Sequence, residues 1–319
     1  MPTEGSGNAD VGDAIGLWSH RLALVTTVVT FILILAGGVV TNTGTGMAVP
    51  DWPTTFGYNM FLYPWSKMIG GIFYEHTHRL IGSLVGALTL TLAVLLWALE
   101  SRRWVRALGI AALVAVVIQG VLGGLRVILS QDALAIVHGG FAHAFVALVG
   151  GLALLTSPSW RAPVTVISST DARRLRRLSV CTTVGLYVQV LLGTLVTHLG
   201  ASVDAHIFVA GLVSVAVLLL GFRILPRRAD WPELVRPAEA LRALWALQLA
   251  LGLGAYVAKF HAADVPLGSG LSLALPVSHR LTGGMMLIVS VVLTLRLYRR
   301  TGSLDSALGR EPLSQKVPA

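Results

Sequence analysis

Eight runs of about twenty largely apolar residues recur along the chain, and no other feature restricts its fold as strongly. Roughly 20 such residues in a helix cross the hydrocarbon core of a bilayer, and a helix satisfies its own backbone polar groups there. The runs lie at about Leu22–Thr41, His78–Leu99, Ala107–Ile128, Ala135–Leu155, Leu178–Thr197, His206–Phe222, Leu241–Lys259 and His279–Tyr298. The sequence therefore predicts an all-α integral membrane protein with eight transmembrane helices, and it excludes a soluble enzyme built around one core. Only 12% of residues are charged, against about 25% in soluble domains.

The connectors set the orientation. Nineteen of the 24 Lys and Arg residues fall at the N-terminus, in the 100–106, 156–177 and 223–242 connectors, or at the C-terminus. The opposite side holds only Lys67, Arg79, Arg126, Lys259 and Arg280. By the positive-inside rule both termini are cytoplasmic, as an even number of spans requires. The net charge of +9 is thus spread over short loops; nucleic acid would need it on one exposed face, so that partner is excluded. Residues 1–17 carry no basic n-region, and the expectation is a disordered cytoplasmic tail with the first span retained. Cys181 is a lone cysteine in an apolar run, expected to be a buried spectator thiol with no disulfide partner.

Histidines are distributed the other way. Eight of the nine (all but His20) lie at outer helix ends or in outer loops. The even spans each open with one: His78, His138, His206 and His279. The odd spans share a second pattern: Gln119-Gly-Val-Leu-Gly123, Gln189-Val-Leu-Leu-Gly193 and Gln248-Leu-Ala-Leu-Gly252, with Leu33-Ile-Leu-Ala-Gly37 as its variant. The chain reads as a four-helix half used twice, giving two pseudo-symmetric bundles. For the glycines, the expectation is close helix packing without chemistry.

Two imidazoles at similar depth on facing helices are the donor set of a bis-histidine haem. Polar side chains at membrane depth are costly and tend to be functional. His78 and His279 share a cassette, His78-Arg79-Leu80-Ile81-Gly82 and His279-Arg280-Leu281-Thr282-Gly283, in which Arg79 and Arg280 are candidate propionate contacts; each could equally snorkel to the interface. Glu75 stands three residues before His78, on the same helix face. It is either a proton-transfer group or a carboxylate favourable to the helix dipole. The connector Thr43–Tyr74 is rich in aromatic residues and contains Pro50-Asp51-Trp52-Pro53. Asp51 and Trp52 belong either to an interfacial anchor or to a lid over a large hydrophobic substrate.

Taken together, Gly37-Gly38-Val39-Val40-Thr41, Gly46-Met-Ala-Val-Pro50-Asp51-Trp52-Pro53, Glu75-His-Thr-His78-Arg79, Gln119-Gly-Val-Leu-Gly123-Gly124, His138 with Ala142, Val196-Thr197-His198-Leu199-Gly200 with His206, and His279-Arg280-Leu-Thr-Gly283 make the chain resemble the haem A synthase family over about residues 20–300. The resemblance implies a substrate haem site in an N-terminal half, 18–160, and a haem b site in a C-terminal half, 178–300. A cytoplasmic linker, 161–177, would join them, and a tail, 301–319, would follow. It implies that His78 and His138 face the substrate haem O, that His206 and His279 ligate haem b, and that Glu75 is the catalytic carboxylate. The C8 methyl of haem O would pass through an alcohol to the formyl group of haem A, for terminal oxidase assembly in a bacterial cell membrane, with the haem sites toward the outer face. Implied partners are haem O synthase, an electron donor and the bilayer, with a homo-oligomer left open. Many bacterial members carry a cysteine pair flanking the Pro-Asp-Trp-Pro motif; here Val49 precedes it and Thr54, Thr55 and Phe56 follow, so no thiol chemistry is expected there. His143 stands where a glutamine is expected.

Two other functions use the same residues. A bis-histidine dihaem electron-transfer cytochrome explains every histidine but leaves Glu75 and the aromatic connector idle. A transporter with His and Glu relays would place its ionisable groups near the bilayer midplane on broken helices, whereas here they gather at one surface.

Overall fold

The computed structural model describes residues 5–164, 166, 170–262, 264–265 and 267–302, with backbone alone for 5–15 and Thr170. Its helices are α1 (Gly5–Asn42), α2 (Gly71–Leu99), α3 (Arg103–Leu129), α4 (Asp132–Thr156), a one-turn α5 (Pro158–Arg161), α6 (Thr170–Leu199), α7 (Val203–Ile224), α8 (Pro232–Phe260) and α9 (Ser269–Arg300). All except α5 are long and apolar enough to cross a membrane, so the eight expected spans are all present in an all-helical chain. Their spanning segments run 25–32 residues, longer than the apolar runs, because each helix continues past the hydrocarbon region into its polar ends. α1 is drawn from Gly5 and α6 from Thr170, inside the stretches expected as tail and linker. Residues 303–319 of the expected C-terminal tail lie outside the described residues.

Polar residues within the spans are mostly satisfied locally. The hydroxyls of Thr30 and Thr89 donate back to the carbonyls of Thr26 and Val85, both at 2.7 Å, a bond available only because the carbonyl one turn earlier lies within reach. α6 stops where Gly200 takes φ +64°, the left-handed conformation that closes a helix C-terminus at no steric cost.

Each of α1–α4 packs on its neighbours in a closed ring, and α6–α9 do the same. The two rings meet along a seam at which α4 touches α6 and α9, and α1 touches α9. Small residues of α4 make that approach possible. A Cβ on Gly140 would meet Leu191 Cδ2 at 2.7 Å, and one on Gly150 would meet Ile288 Cγ2 at 3.0 Å. Within the second ring Thr183 of α6 shares hydrogen bonds with Ser290 and Thr294 of α9, at 2.7 and 3.0 Å.

The apolar cores sit toward the helix ends remote from the histidines. In the first ring the core includes Val85, Leu92, Leu96, Val105, Val149 and Leu152. In the second it includes Val217, Leu220, Ile224, Leu234, Leu241 and Leu293. At the opposite end packing thins: no residue of α7 before Val213 and none of α8 after Leu241 is buried. The second ring therefore opens toward its histidines, whereas in the first ring Glu75, His76, Gly124 and Val127 stay buried at that end. At the end remote from the histidines Arg102 pairs with Glu100 at 2.7 Å and donates to Leu155 O at 2.9 Å. Burial opposes the charge of Glu100, but Arg102, helped by Arg161, outweighs it and holds the carboxyl below its ordinary range. Cys181, expected to be buried, is exposed on α6, because the apolar run containing it turns that face outward.

Candidate functional site

The four helix-opening histidines make one contact repeated four times. Each presents the same ring edge to the glycine that ends the five-residue pattern on the preceding odd span. A Cβ on Gly37 would lie 3.0 Å from His78 Cε1, on Gly123 3.1 Å from His138 Cε1, on Gly193 3.5 Å from His206 Cε1 and on Gly252 3.0 Å from His279 Cε1. These glycines serve the close approach of neighbouring helices, and the side chain they make room for is an imidazole. Such a seat also bares the carbonyl one turn earlier. The carbonyls of Leu33, Gln119, Gln189 and Gln248 act on the four rings, although none reaches hydrogen-bond geometry. All four Nδ1 atoms are buried without a partner among the described residues, and Nε2 of His279 lies 3.4 Å from the Gln248 side-chain nitrogen.

A buried polar nitrogen without a partner costs about 1–3 kcal/mol, and four of one kind point to a bound group that uses these rings. A metal-ligating histidine characteristically turns its second nitrogen to a backbone carbonyl, which fixes ring orientation and leaves the other nitrogen for the metal. His206 and His279 face each other with ring centroids 6.2 Å apart, the space of two metal–imidazole bonds of about 2 Å plus the two ring radii. No group of three or more His, Cys, Asp or Glu among the described residues could hold a bare metal ion. Paired imidazoles above an open, thinly packed ring end suit a metal that brings its own equatorial ligands, and so the residues present fit a haem. His138 and His78 act electrostatically on one another, as neighbours do.

The shared His-Arg cassette does not give its two arginines one role. Arg79 is spent on the 43–70 connector. It pairs with Glu75 at 2.7 Å and donates to the carbonyls of Val49 at 2.8 Å, Asp51 at 2.6 Å and Thr54 at 3.1 Å. In this structure Arg79 anchors the connector, its two terminal nitrogens being taken up by the backbone carbonyls and Glu75. Glu75 is buried, and its second oxygen accepts the Val49 N–H at 2.9 Å. It also lies beyond the first turn of α2, which contains no acidic residue, so a helix-dipole role does not explain it. His76 contacts Thr55 Oγ1 at 3.1 Å and packs on Tyr63, fastening the same connector.

Asp51 points into its own turn. It accepts from the N–H groups of Phe56 and Gly57 at 2.7 and 2.9 Å and from Thr54 Oγ1. Burial works against its charge, but these donors outweigh it and hold the carboxyl below the ordinary range. Trp52 lies flat against Gly124, where any side chain would collide with the indole. That seat is one residue from the Gly123 seat of His138, so the connector covers the mouth of the first ring. Phe61, Leu62, Trp65 and Ile69 project outward from it and are largely exposed.

His143 is buried at the seam, sharing a hydrogen bond with Gly139 O at 2.9 Å and packing on Gly284 of α9. His198 closes α6, and His261 is exposed beside Asp264. Arg280 leaves its own ring and reaches α1, with Nη1 3.8 Å from a Cβ on Gly38. Sequence reading missed Arg126, whose guanidinium fills the space above Gly46. A signal for it was present, since it is one of only five basic residues on the side the positive-inside rule leaves poor in charge.

The model of the COX15-CtaA family, described as cytochrome oxidase assembly protein, matches residues 20–208. This stretch includes Glu75, His78, His138 and His206 but stops before His279. A heme A synthase of Alkalihalophilus pseudofirmus is 33% identical over 136 residues, 42% of this chain and 44% of that protein. Those of Shouchella clausii and Bacillus pumilus are 27% and 28% identical over 57% and 59% of this chain, and over 60% and 61% of their own lengths. The chain thus spans about half the length of the curated relatives it matches. With the family match covering more than half of the residues, and with three of the four glycine-backed histidines inside it, this multi-pass membrane protein belongs to the COX15-CtaA family of cytochrome oxidase assembly proteins.

Proposed function

We propose that the protein is a haem A synthase, oxidising the C8 methyl of haem O to the formyl group of haem A for a terminal oxidase. The observation that carries this reading is the fourfold imidazole seat, two rings to each bundle at the same end, in a chain whose relatives are named heme A synthase. His206 and His279 would hold haem b, and His78 and His138 would receive haem O, making the bundles two pseudo-symmetric halves with separate tasks. Bound there, haem b would supply one-electron transfer. The chain's own work is to orient and to exclude water: the glycine-backed rings fix both porphyrins, and Trp52 with the rest of the 43–70 connector closes the first ring from outside. Glu75, one helical turn from His78, would take and return protons at the substrate methyl as it is oxidised through its alcohol. Haem O synthase would deliver the substrate, and electrons would exchange with a donor outside the chain.

Pyridine haemochrome analysis of the purified protein tests the reading. Haem b together with haem O or A is expected; b alone would overturn it in favour of an electron-transfer cytochrome. One observation favours that second reading, namely that both oxygens of Glu75 are already held.

Two further outcomes follow from this reading. Gly252→Val places branched carbons against His279, and a loss of about 10–100-fold in haem b retention is expected, the range for disturbing an outer partner of a metal ligand. Gly120→Ala, with open space at its Cβ position, should leave the haem spectrum unchanged. Secondly, the haem sites would face the outside of a bacterial cell membrane. In a background with exposed Cys181 replaced, Ser66→Cys should react with an impermeant thiol reagent added outside and Ala229→Cys should not. Labelling of both from one side would contradict the orientation.

A further inference from the structure

Two guanidiniums at the histidine-bearing end have no partner among the described residues. Arg126 and Arg280 make no hydrogen bond or ion pair with any described residue, whereas Arg79, Arg102, Arg227, Arg228, Arg299 and Arg300 are all engaged. Arg126 leaves the last turn of α3, and its charge acts on His78, His138 and His198. Arg280 follows the candidate ligand His279, reaches α1 beside Gly38, and acts on His143 and His198. The two charges also act on each other. The carboxylates near enough to influence Arg126 are Glu75 and Asp132. Neither is within ion-pair distance of it; Glu75 is committed to Arg79 and Val49, and Asp132 is exposed.

Ten guanidinium N–H donors therefore stand without a protein acceptor among the described residues, Arg126 beside Gly46 and Arg280 beside Gly38 at the same end of the helices. Like charges in a partly buried membrane site repel and are poorly solvated, and they persist where an anion offsets them. Because guanidinium geometry matches a carboxylate bidentately, we propose that Arg126 and Arg280 form one carboxylate site at this end that takes the porphyrin side-chain carboxylates, Arg126 from the histidine pair of the first ring and Arg280 from that of the second. This inference rests on the haem reading above and adds a shared anchor between the two chambers. The site would set the rotation of each porphyrin about its axis between the imidazoles, which axial ligands by themselves leave free.

The test compares iron protoporphyrin IX with its dimethyl ester, in which both carboxylates are blocked, titrated by Soret absorbance into the full-length protein freed of haem. Wild-type protein is expected to bind the free acid about tenfold or more tightly than the ester. Arg126→Gln and Arg280→Gln should each shrink that preference, and Arg280→Lys should restore part of it. Equal binding of acid and ester by the wild type would overturn the site while leaving the haem reading intact; this comparison needs no variant to fold. Preference retained in both Gln variants would also overturn it. Binding of neither porphyrin would remove the haem reading itself, and the site with it. If inorganic phosphate raises the melting temperature of the haem-free wild type but not of the variants, and acid and ester bind alike, the site takes small anions from water and the proposal fails.

Discussion

Glu75→Gln is expected to abolish most haem A formation while haem binding persists, with haem O or its alcohol accumulating. General acid–base assistance is worth about 10²–10⁴-fold, and the amide keeps the shape of the side chain but cannot carry the proton. Glu75 has structural work as well, since it is buried, pairs with Arg79 and accepts the Val49 N–H. Removing one partner of a buried pair costs about 3–5 kcal/mol. The three backbone carbonyls that also hold Arg79 should keep the cost below that. Loosening of the connector must therefore be separated from loss of the proton. His76→Phe breaks the neighbouring fastening to Thr55 and leaves Glu75 in place; it is expected to retain haem A synthesis. Extraction of haems from cells expressing each variant at matched protein level decides the matter. Normal haem A from Glu75→Gln would make the carboxylate a loop anchor only, and equal failure of both variants would give the effect to the connector.

His206→Ala and His279→Ala should each eliminate low-spin haem b while the first ring stays folded. The pair stands alone, with 6.2 Å between ring centroids, and among the described residues no third donor is grouped with it to replace a lost ring. The effect should exceed the about 10–100-fold that loss of an outer partner costs. The first ring has its own core and its own imidazole seats, so a porphyrin bound there should survive. Reduced-minus-oxidised spectra and haem-to-protein ratios would show this as loss of the b-type band with residual haem. Full retention of haem b in both variants would sink the assignment of ligands.

Much of this protein is legible in one dimension because a bilayer leaves little choice. Apolar length sets the spans, and every backbone group inside them must bond within its own helix. Short connectors then oblige neighbouring helices to run antiparallel, so histidines opening alternate spans fall at one end of the bundle without any tertiary information. The same logic misleads where residues share a local pattern but meet different neighbours. His78-Arg79 and His279-Arg280 look like copies, yet the first arginine is drawn to connector carbonyls and the second crosses the seam. Glycines spaced for helix packing also face imidazoles, while the seam between the rings is supplied by Gly140 and Gly150 of α4.

The sequence by itself determined the eight spans, the end at which the histidines gather and the crowding of basic residues at the other end, since each follows from apolar length and position along a helix. Only the tertiary structure decided which glycine backs which ring, that Arg79 and His76 hold the connector, and that Arg126 and Arg280 stand without partners among the described residues. Those facts depend on the rotation of each helix about its own axis. In lipid that rotation is fixed by close packing against particular neighbours, and the order of residues along one helix carries no record of which neighbours those will be.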